Sequence, residues 1–189
     1  MKLVVVLGSR NTAGQTARAA EALAKGFAAA GGEVEKIILP ALDIQRCRQC
    51  NDDGWGSCRS HGDCAIDDDM PKVVASIASA DAAAFATPVY FSDLSESMRA
   101  LLDRLRRTCM HDSGRAKVAG TPAVGVCVAG GGGGGAPECT ASLTSVLDRC
   151  GFDCVDMIPV RRQNLDMKAA ILAATGKRLA ASLGGEGIA

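Results

Sequence analysis

Five short apolar runs punctuate the chain, at residues 2–7, 34–39, 82–87, 123–128 and 154–160, and each is followed by a stretch with helical spacing. Regular alternation of this kind builds β-α units around a parallel sheet. The runs are nearly continuous in Val, Ile and Ala rather than alternating with polar residues. Strands covered by helices on both faces read this way. Residues 14–30 put Ala20, Leu23, Ala24 and Phe27 on one helical face, and residues 93–107 do the same with Leu94, Met98, Leu101, Leu102 and Leu105. Asp93 with Glu96 three residues on predicts a capping box for the second of these helices. Asp69 before Met70 and Pro71 marks another helix start, and residues 138–149 and 164–183 supply the last two helices.

One sizeable core is within reach of 189 residues that are 48% hydrophobic, so a single domain spanning 1–189 is expected. Segment 41–68 is too polar and cysteine-rich for that core and reads as an inserted loop. Twenty-one basic side chains balance 21 acidic ones without a basic run, which argues against nucleic acid as a partner. No apolar stretch approaches the roughly 18 residues of a membrane helix, and the apolar start at 3–7 is too short for a signal peptide. Nine cysteines are an odd number in a chain that needs no staples, so a reducing compartment, the cytoplasm, is expected.

In a doubly wound sheet the ligand crevice lies beyond the carboxyl ends of the strands. Three loops leave that edge. The first, Gly8-Ser-Arg-Asn-Thr-Ala-Gly-Gln-Thr16, opens a helix, where backbone N–H groups and the helix dipole favour an anion. Five residues separate Gly8 from Gly14, and Gln15 stands where a nucleotide-triphosphate loop has lysine; Arg10 stands where a dinucleotide fingerprint has glycine. A single terminal phosphate fits better, with Ser9, Arg10, Thr12, Gln15 and Thr16 as its candidate residues. The second loop, Thr87-Pro88-Val89-Tyr90-Phe91-Ser92, places the only tyrosine beside a phenylalanine at a strand end, where the rings either stack on a planar ligand or complete the core. The third carries six consecutive glycines, Gly130, Gly131, Gly132, Gly133, Gly134 and Gly135. Such a run lets backbone press close to a ligand, and a linker is out of place between a buried strand and its helix.

The phosphate loop at Gly8-Ser9, the stretch Ala80-Asp81-Ala-Ala-Ala-Phe-Ala-Thr-Pro88-Val-Tyr90-Phe, Leu102-Asp103-Arg104 and Ala129-Gly130-Gly131 fall in an order that resembles the NADPH-dependent FMN reductases and iron–sulfur flavoproteins of the flavodoxin superfamily. Gly62-Asp-Cys64-Ala-Ile-Asp-Asp-Asp-Met70 is similar to the family's Gly-x-Cys-x-x-x-Asp-Asp-Met. The resemblance covers nearly the whole chain and implies a flavodoxin-like three-layer α/β sandwich with a five-stranded parallel sheet in order 2-1-3-4-5. It implies FMN, with its phosphate in the first loop and its ring between the second and third, and NAD(P)H as co-substrate. It also implies a homodimer or homotetramer in which a neighbouring subunit helps enclose the flavin. Gln15 departs from the asparagine common in the family.

Cys47-x2-Cys50-x7-Cys58-x5-Cys64 gathers four thiols within 18 residues, the number that a 4Fe-4S cluster or a structural zinc takes. Iron–sulfur flavoproteins keep two residues between the second and third cysteines where this chain has seven. Free or structural thiols are the alternative. Cys127, Cys139, Cys150 and Cys154 read as small core residues. Cys109-x5-Arg115 has the spacing of a phosphatase loop, but it follows a helix rather than a strand, which removes the amides that would activate the thiol. Asp67 to Asp69 read as helix-start chemistry rather than a cation site. The expected function is an FMN-dependent oxidoreductase, carrying electrons from NAD(P)H to a quinone, another small acceptor, a redox protein or an iron–sulfur centre. An electron-carrier module without its own NAD(P)H turnover is the alternative. No acid–base residue is demanded, since the chemistry belongs to the cofactor.

Overall fold

The computed structural model describes residues 1–185. Its elements run β1 (Lys2–Leu7), α1 (Gln15–Ala29), β2 (Glu33–Ile38), α2 (Ser57–Ser60), α3 (Met70–Ala78), β3 (Ala82–Tyr90), β4 (Asp93–Leu94), α4 (Glu96–Thr108), α5 (Asp112–Arg115), β5 (Pro122–Ala129), α6 (Ala136–Cys150), β6 (Asp153–Arg161) and α7 (Leu165–Leu183). The parallel strands lie in the order β2-β1-β3-β5-β6. This is the expected 2-1-3-4-5 once the two-residue β4 is set aside, since β4 pairs only with β3, and antiparallel.

Two cores explain why the strands read as unbroken apolar runs. On one face Leu3, Val5, Ala84 and Val126 meet Leu23 and Phe27 of α1 and Leu172 and Leu179 of α7. On the other, Val4, Val6 and Phe85 meet Ile77 of α3, Leu101 and Leu105 of α4 and Leu143 of α6. Alternate residues of one strand therefore enter opposite apolar layers, as a sheet with helices on both sides requires. The layers leave one sheet edge, at the carboxyl ends of β1, β3 and β5, to be finished by loops.

One helix start differs from expectation. Asp93 does not cap α4, because the chain turns back after Tyr90 and draws Asp93 into β4, opposite that tyrosine. The cap falls to Ser95, extended at φ −61° and ψ 156°, whose hydroxyl accepts from the Met98 N–H. At α3 the helix begins at Met70 as predicted, but Asp68 accepts from the Met70 N–H at 3.1 Å, while Asp69 pairs with Lys72 at 2.7 Å. Segment 41–68 is tied down rather than loose: the Asp43 N–H donates to Asp69 and the Gln45 N–H to Asp68.

Candidate functional site at the carboxyl edge of the sheet

Loop one follows β1 and ends in α1. Its N-cap, Gly14, makes no side-chain bond, and the first turn holds no acidic residue, so the unpartnered N–H groups of that turn carry an uncompensated positive end. Ser9 and Thr16 are buried and Arg10 and Thr12 exposed. The Ala13 N–H is taken by Asn11 Oδ1 at 3.0 Å, which fixes the bend between Gly8 and Gly14. The Gly8 carbonyl accepts from Ser95 Oγ at 2.9 Å and Ser97 Oγ at 3.2 Å. Loop one is thereby fastened to the start of α4, a link that sequence spacing did not reveal because the two segments lie far apart in the chain.

Loop two is a two-residue β-hairpin. Val89 pairs with Leu94 and Tyr90 with Asp93, leaving Phe91 at φ 49° and Ser92 at φ 63°. Both central residues are left-handed, the backbone of a turn that prefers Asn-Gly, and a phenylalanine in that region is strained. Phe91 stands fully exposed at the tip, with Tyr90 half exposed behind it. These rings are therefore not core. Pro88 and Val89 are partly buried below them. Asp93 anchors the return strand to Arg99 and Ser142. Partial burial works against its charge, yet the Leu94 N–H, Arg99 and Ser142 together hold its carboxyl below the usual range.

Loop three folds on itself through the Gly133 N–H and the Gly130 carbonyl, 2.8 Å apart. A side chain on Gly130, Gly131, Gly132 or Gly134 would meet nothing, so these residues present bare backbone to the space above the sheet edge. Gly135, at φ 79°, packs so tightly on Ser92 that an added Cβ would lie 2.7 Å from the Ser92 Cα. Loops one, two and three thus form one continuous rim, joined at Gly8 with Ser95 and at Ser92 with Gly135. The rim continues into a turn absent from the sequence-based candidates. Ala129 pairs with Arg161 across β5 and β6, Arg161 lies against buried Gly133, and Gln163 Nε2 donates to the Gly131 carbonyl at 2.9 Å. The Arg161-Arg162 dipeptide at a strand end was the available signal.

The four clustered cysteines come together elsewhere. Cys47, Cys50, Cys58 and Cys64 line one cavity with Arg104 and Arg107. At 20 Å³ it admits about one water. Among the described residues no three His, Cys, Asp or Glu side chains are arranged around a single ion. The donor set is that of a group that takes four separate thiolates. Arg104 is buried and donates to Cys64 Sγ at 3.3 Å, to the Gln45 carbonyl at 3.1 Å and, through both terminal nitrogens, to Asp68. Arg107 donates to the Gly54 carbonyl and stacks 4.0 Å from the centre of Trp55. Cys127, Cys139 and Cys150 are buried, as expected of core residues, and Cys154 partly so. Cys109 is buried at the end of α4, away from any strand-to-helix turn, so the phosphatase-like spacing builds no anion loop.

A doubly wound sheet with an open helix start, an aromatic hairpin and a bare glycine loop on one edge defines a flavodoxin-like domain. The model of the NADPH-dependent FMN reductase family matches residues 1–164, and the chain belongs to that family. An iron–sulfur flavoprotein of Methanocaldococcus jannaschii is 31% identical over 131 residues, 69% of this chain and 65% of that protein. Another, from Archaeoglobus fulgidus, is 31% identical over 105 residues, 56% of this chain and 46% of that protein. The chain thus spans about half to two thirds of the length of these two relatives. Among solved structures, an NAD(P)H:quinone oxidoreductase from Methanothermobacter marburgensis superposes with a TM-score of 0.70 at 18% identity, covering 95% of this chain and 96% of that one. An archaeal flavodoxin superposes with a TM-score of 0.63 at 16% identity, covering 97% and 99%. At these identities the likeness is one of fold. No helix of the described residues is long and apolar enough to cross a membrane.

Proposed function

We propose that this chain is an FMN-dependent oxidoreductase that takes electrons from NAD(P)H and passes them to a quinone, another small acceptor or a redox protein. The observation that carries the reading is the single rim formed by loops one, two and three on the carboxyl edge of the sheet. Bound FMN would supply acceptance of a hydride and its release as single electrons. The residues of the chain bind and orient it. Ser9, Arg10, Thr12, Gln15 and Thr16 surround the open start of α1 and take the phosphate. Pro88, Val89, Tyr90, Phe91 and Ser92 supply an aromatic wall, and Gly130 to Gly134 supply backbone that approaches the ring without side chains between. Fully exposed Phe91 also suits the contact of a second subunit in a homodimer or homotetramer.

Cys47, Cys50, Cys58 and Cys64, as four thiols on one cavity, support a 4Fe-4S cluster as a further electron site, and with it the second reading, a carrier that exchanges electrons with protein partners without oxidising NAD(P)H itself. Anaerobic purification, a visible spectrum, iron analysis and steady-state NAD(P)H oxidation with a quinone test both. A two-band yellow spectrum with turnover supports the enzyme. Flavin and about four irons per chain without turnover support the carrier, and colourless protein that takes up no added FMN overturns both.

A further inference from the structure

We infer that Arg161 and Arg162 form a fork for a phosphate of the dinucleotide substrate; the inference rests on the proposed NAD(P)H oxidation. Arg161 ends β6 and Arg162 opens the short turn that follows it, on the same sheet edge as loop three, and both are exposed. Their backbone is fixed. The Arg161 N–H donates to Asn164 Oδ1 at 2.8 Å, Gln163 holds the Gly131 carbonyl, and the Cδ of Arg161 would lie 3.0 Å from a Cβ on Gly133. The aliphatic stem of Arg161 thus covers the glycine loop, beside the bare backbone of Gly130 to Gly132.

Among the described residues neither guanidinium has a carboxylate within ion-pair distance. Asp166, the acid nearest in sequence, is engaged by Arg18 at 3.1 Å, and Asp93 on the neighbouring loop is engaged by Arg99. Two adjacent arginines on a fixed backbone turn, neither paired with a carboxylate of the described residues, carry the planar, multidentate donors that phosphate oxygens accept. Loop one, at the end of β1, is separated from β6 by β3 and β5 in the strand order and takes the single phosphate of FMN in the proposed function. The β6 turn therefore addresses a second phosphate. A nicotinamide dinucleotide offers two kinds, its pyrophosphate and, in NADPH, the 2′-phosphate.

The test uses FMN-loaded protein and measures affinity for 2′,5′-ADP and for 5′-ADP by calorimetry, in wild type, Arg161→Gln, Arg162→Gln and the double variant. Arg149→Gln, an exposed arginine outside the rim, controls for loss of one positive charge. Loss of a charge-assisted contact is expected to weaken binding about tenfold or more while FMN affinity, read by flavin fluorescence, is retained. A loss confined to 2′,5′-ADP assigns the fork to the 2′-phosphate and predicts a matching fall in kcat/KM for NADPH over NADH. A loss for both ligands assigns it to the pyrophosphate. Unchanged affinity in the double variant, or a loss no larger than that of Arg149→Gln, overturns the inference. Wild type that holds FMN but neither nucleotide also overturns it, whereas failure to hold FMN overturns the flavin reading itself.

Discussion

Arg104 and Asp68 form an ion pair whose side chains are 1% and 0% exposed, joining the cysteine-rich segment to the C-terminal half of α4. Removing one partner of such a pair leaves an unmatched buried charge, a loss of about 3–5 kcal/mol. Arg104→Gln is therefore expected to lower the midpoint of urea unfolding sharply, and Arg104→Gln with Asp68→Asn to recover much of the loss. A double variant no more stable than the single one would show that the pair is not the source.

The same pair gives stability a pH dependence. Burial pushes the Asp68 carboxyl up, but Arg104 and the N–H groups of Gln45 and Met70 outweigh it, and the net shift is downward. A carboxyl lowered in the folded state contributes stability that is complete above its unfolded value, near 3.9, and is lost as pH falls through the folded one. Unfolding free energy is expected to fall as the pH drops below about 4, and the slope in that range should shrink in Asp68→Asn.

Gly132 and Gly133 should respond oppositely to substitution. Gly132 faces open space and lacks a positive φ, so Gly132→Val is expected to keep the thermal midpoint while weakening FMN binding, read by flavin fluorescence. Gly133 has φ 80°, and a Cβ there would lie 2.9 Å from Gln163 Oε1. Gly133→Ala is expected to cost about 1–3 kcal/mol of stability. Unchanged FMN affinity in Gly132→Val would remove loop three from the flavin site.

The hairpin tip trades stability for an exposed ring. Phe91→Asn with Ser92→Gly supplies the residues this turn prefers and is expected to raise stability by about 1 kcal/mol or more while reducing flavin affinity. A stabilised variant that binds FMN as wild type does would mean that Phe91 faces something else, such as a second subunit.

Thiol reactivity should separate the two cysteine groups. Burial first, and Asp148 second, push the Cys154 thiol up to about 12, and Cys139 and Cys150 are raised further by their neighbours Cys127 and Cys109 and by burial. Alkylation at pH 8 followed by mass mapping is expected to modify Cys47, Cys50, Cys58 and Cys64, all partly exposed, well before Cys139, Cys150 or Cys154.

The central strands β1, β3 and β5 were legible because residues buried on both faces leave no polar alternation to misread, and the parallel order followed from the family resemblance. The three rim loops were legible as compositions that no core uses: a helix-opening hydroxyl loop, paired aromatics at a strand end, and a glycine run. Features that depend on tertiary contact were not. Phe91-Ser92 lacks the Asn-Gly signature of its own turn, so the hairpin and the shift of the α4 cap from Asp93 to Ser95 were hidden together. Arg104 sits in an amphipathic helix where an arginine reads as solvated, and only the packed structure reveals that it points inward to Asp68. Arg161 and Arg162 belong to no motif, and only the packed structure sets Arg161 against Gly133.

Helix α4 is pinned at both ends, by Ser95 and Ser97 to the Gly8 carbonyl and by Arg104 and Arg107 to the cysteine-rich segment. At 1.5 Å per residue its 13 residues make a rod of about 20 Å, stiffened by Met98, Leu101, Leu102 and Leu105 packed into the core. A rod so held is a spacer: it sets the distance between loop one and the cysteine-rich segment, and neither can shift against the other without breaking a fastening at one of its ends.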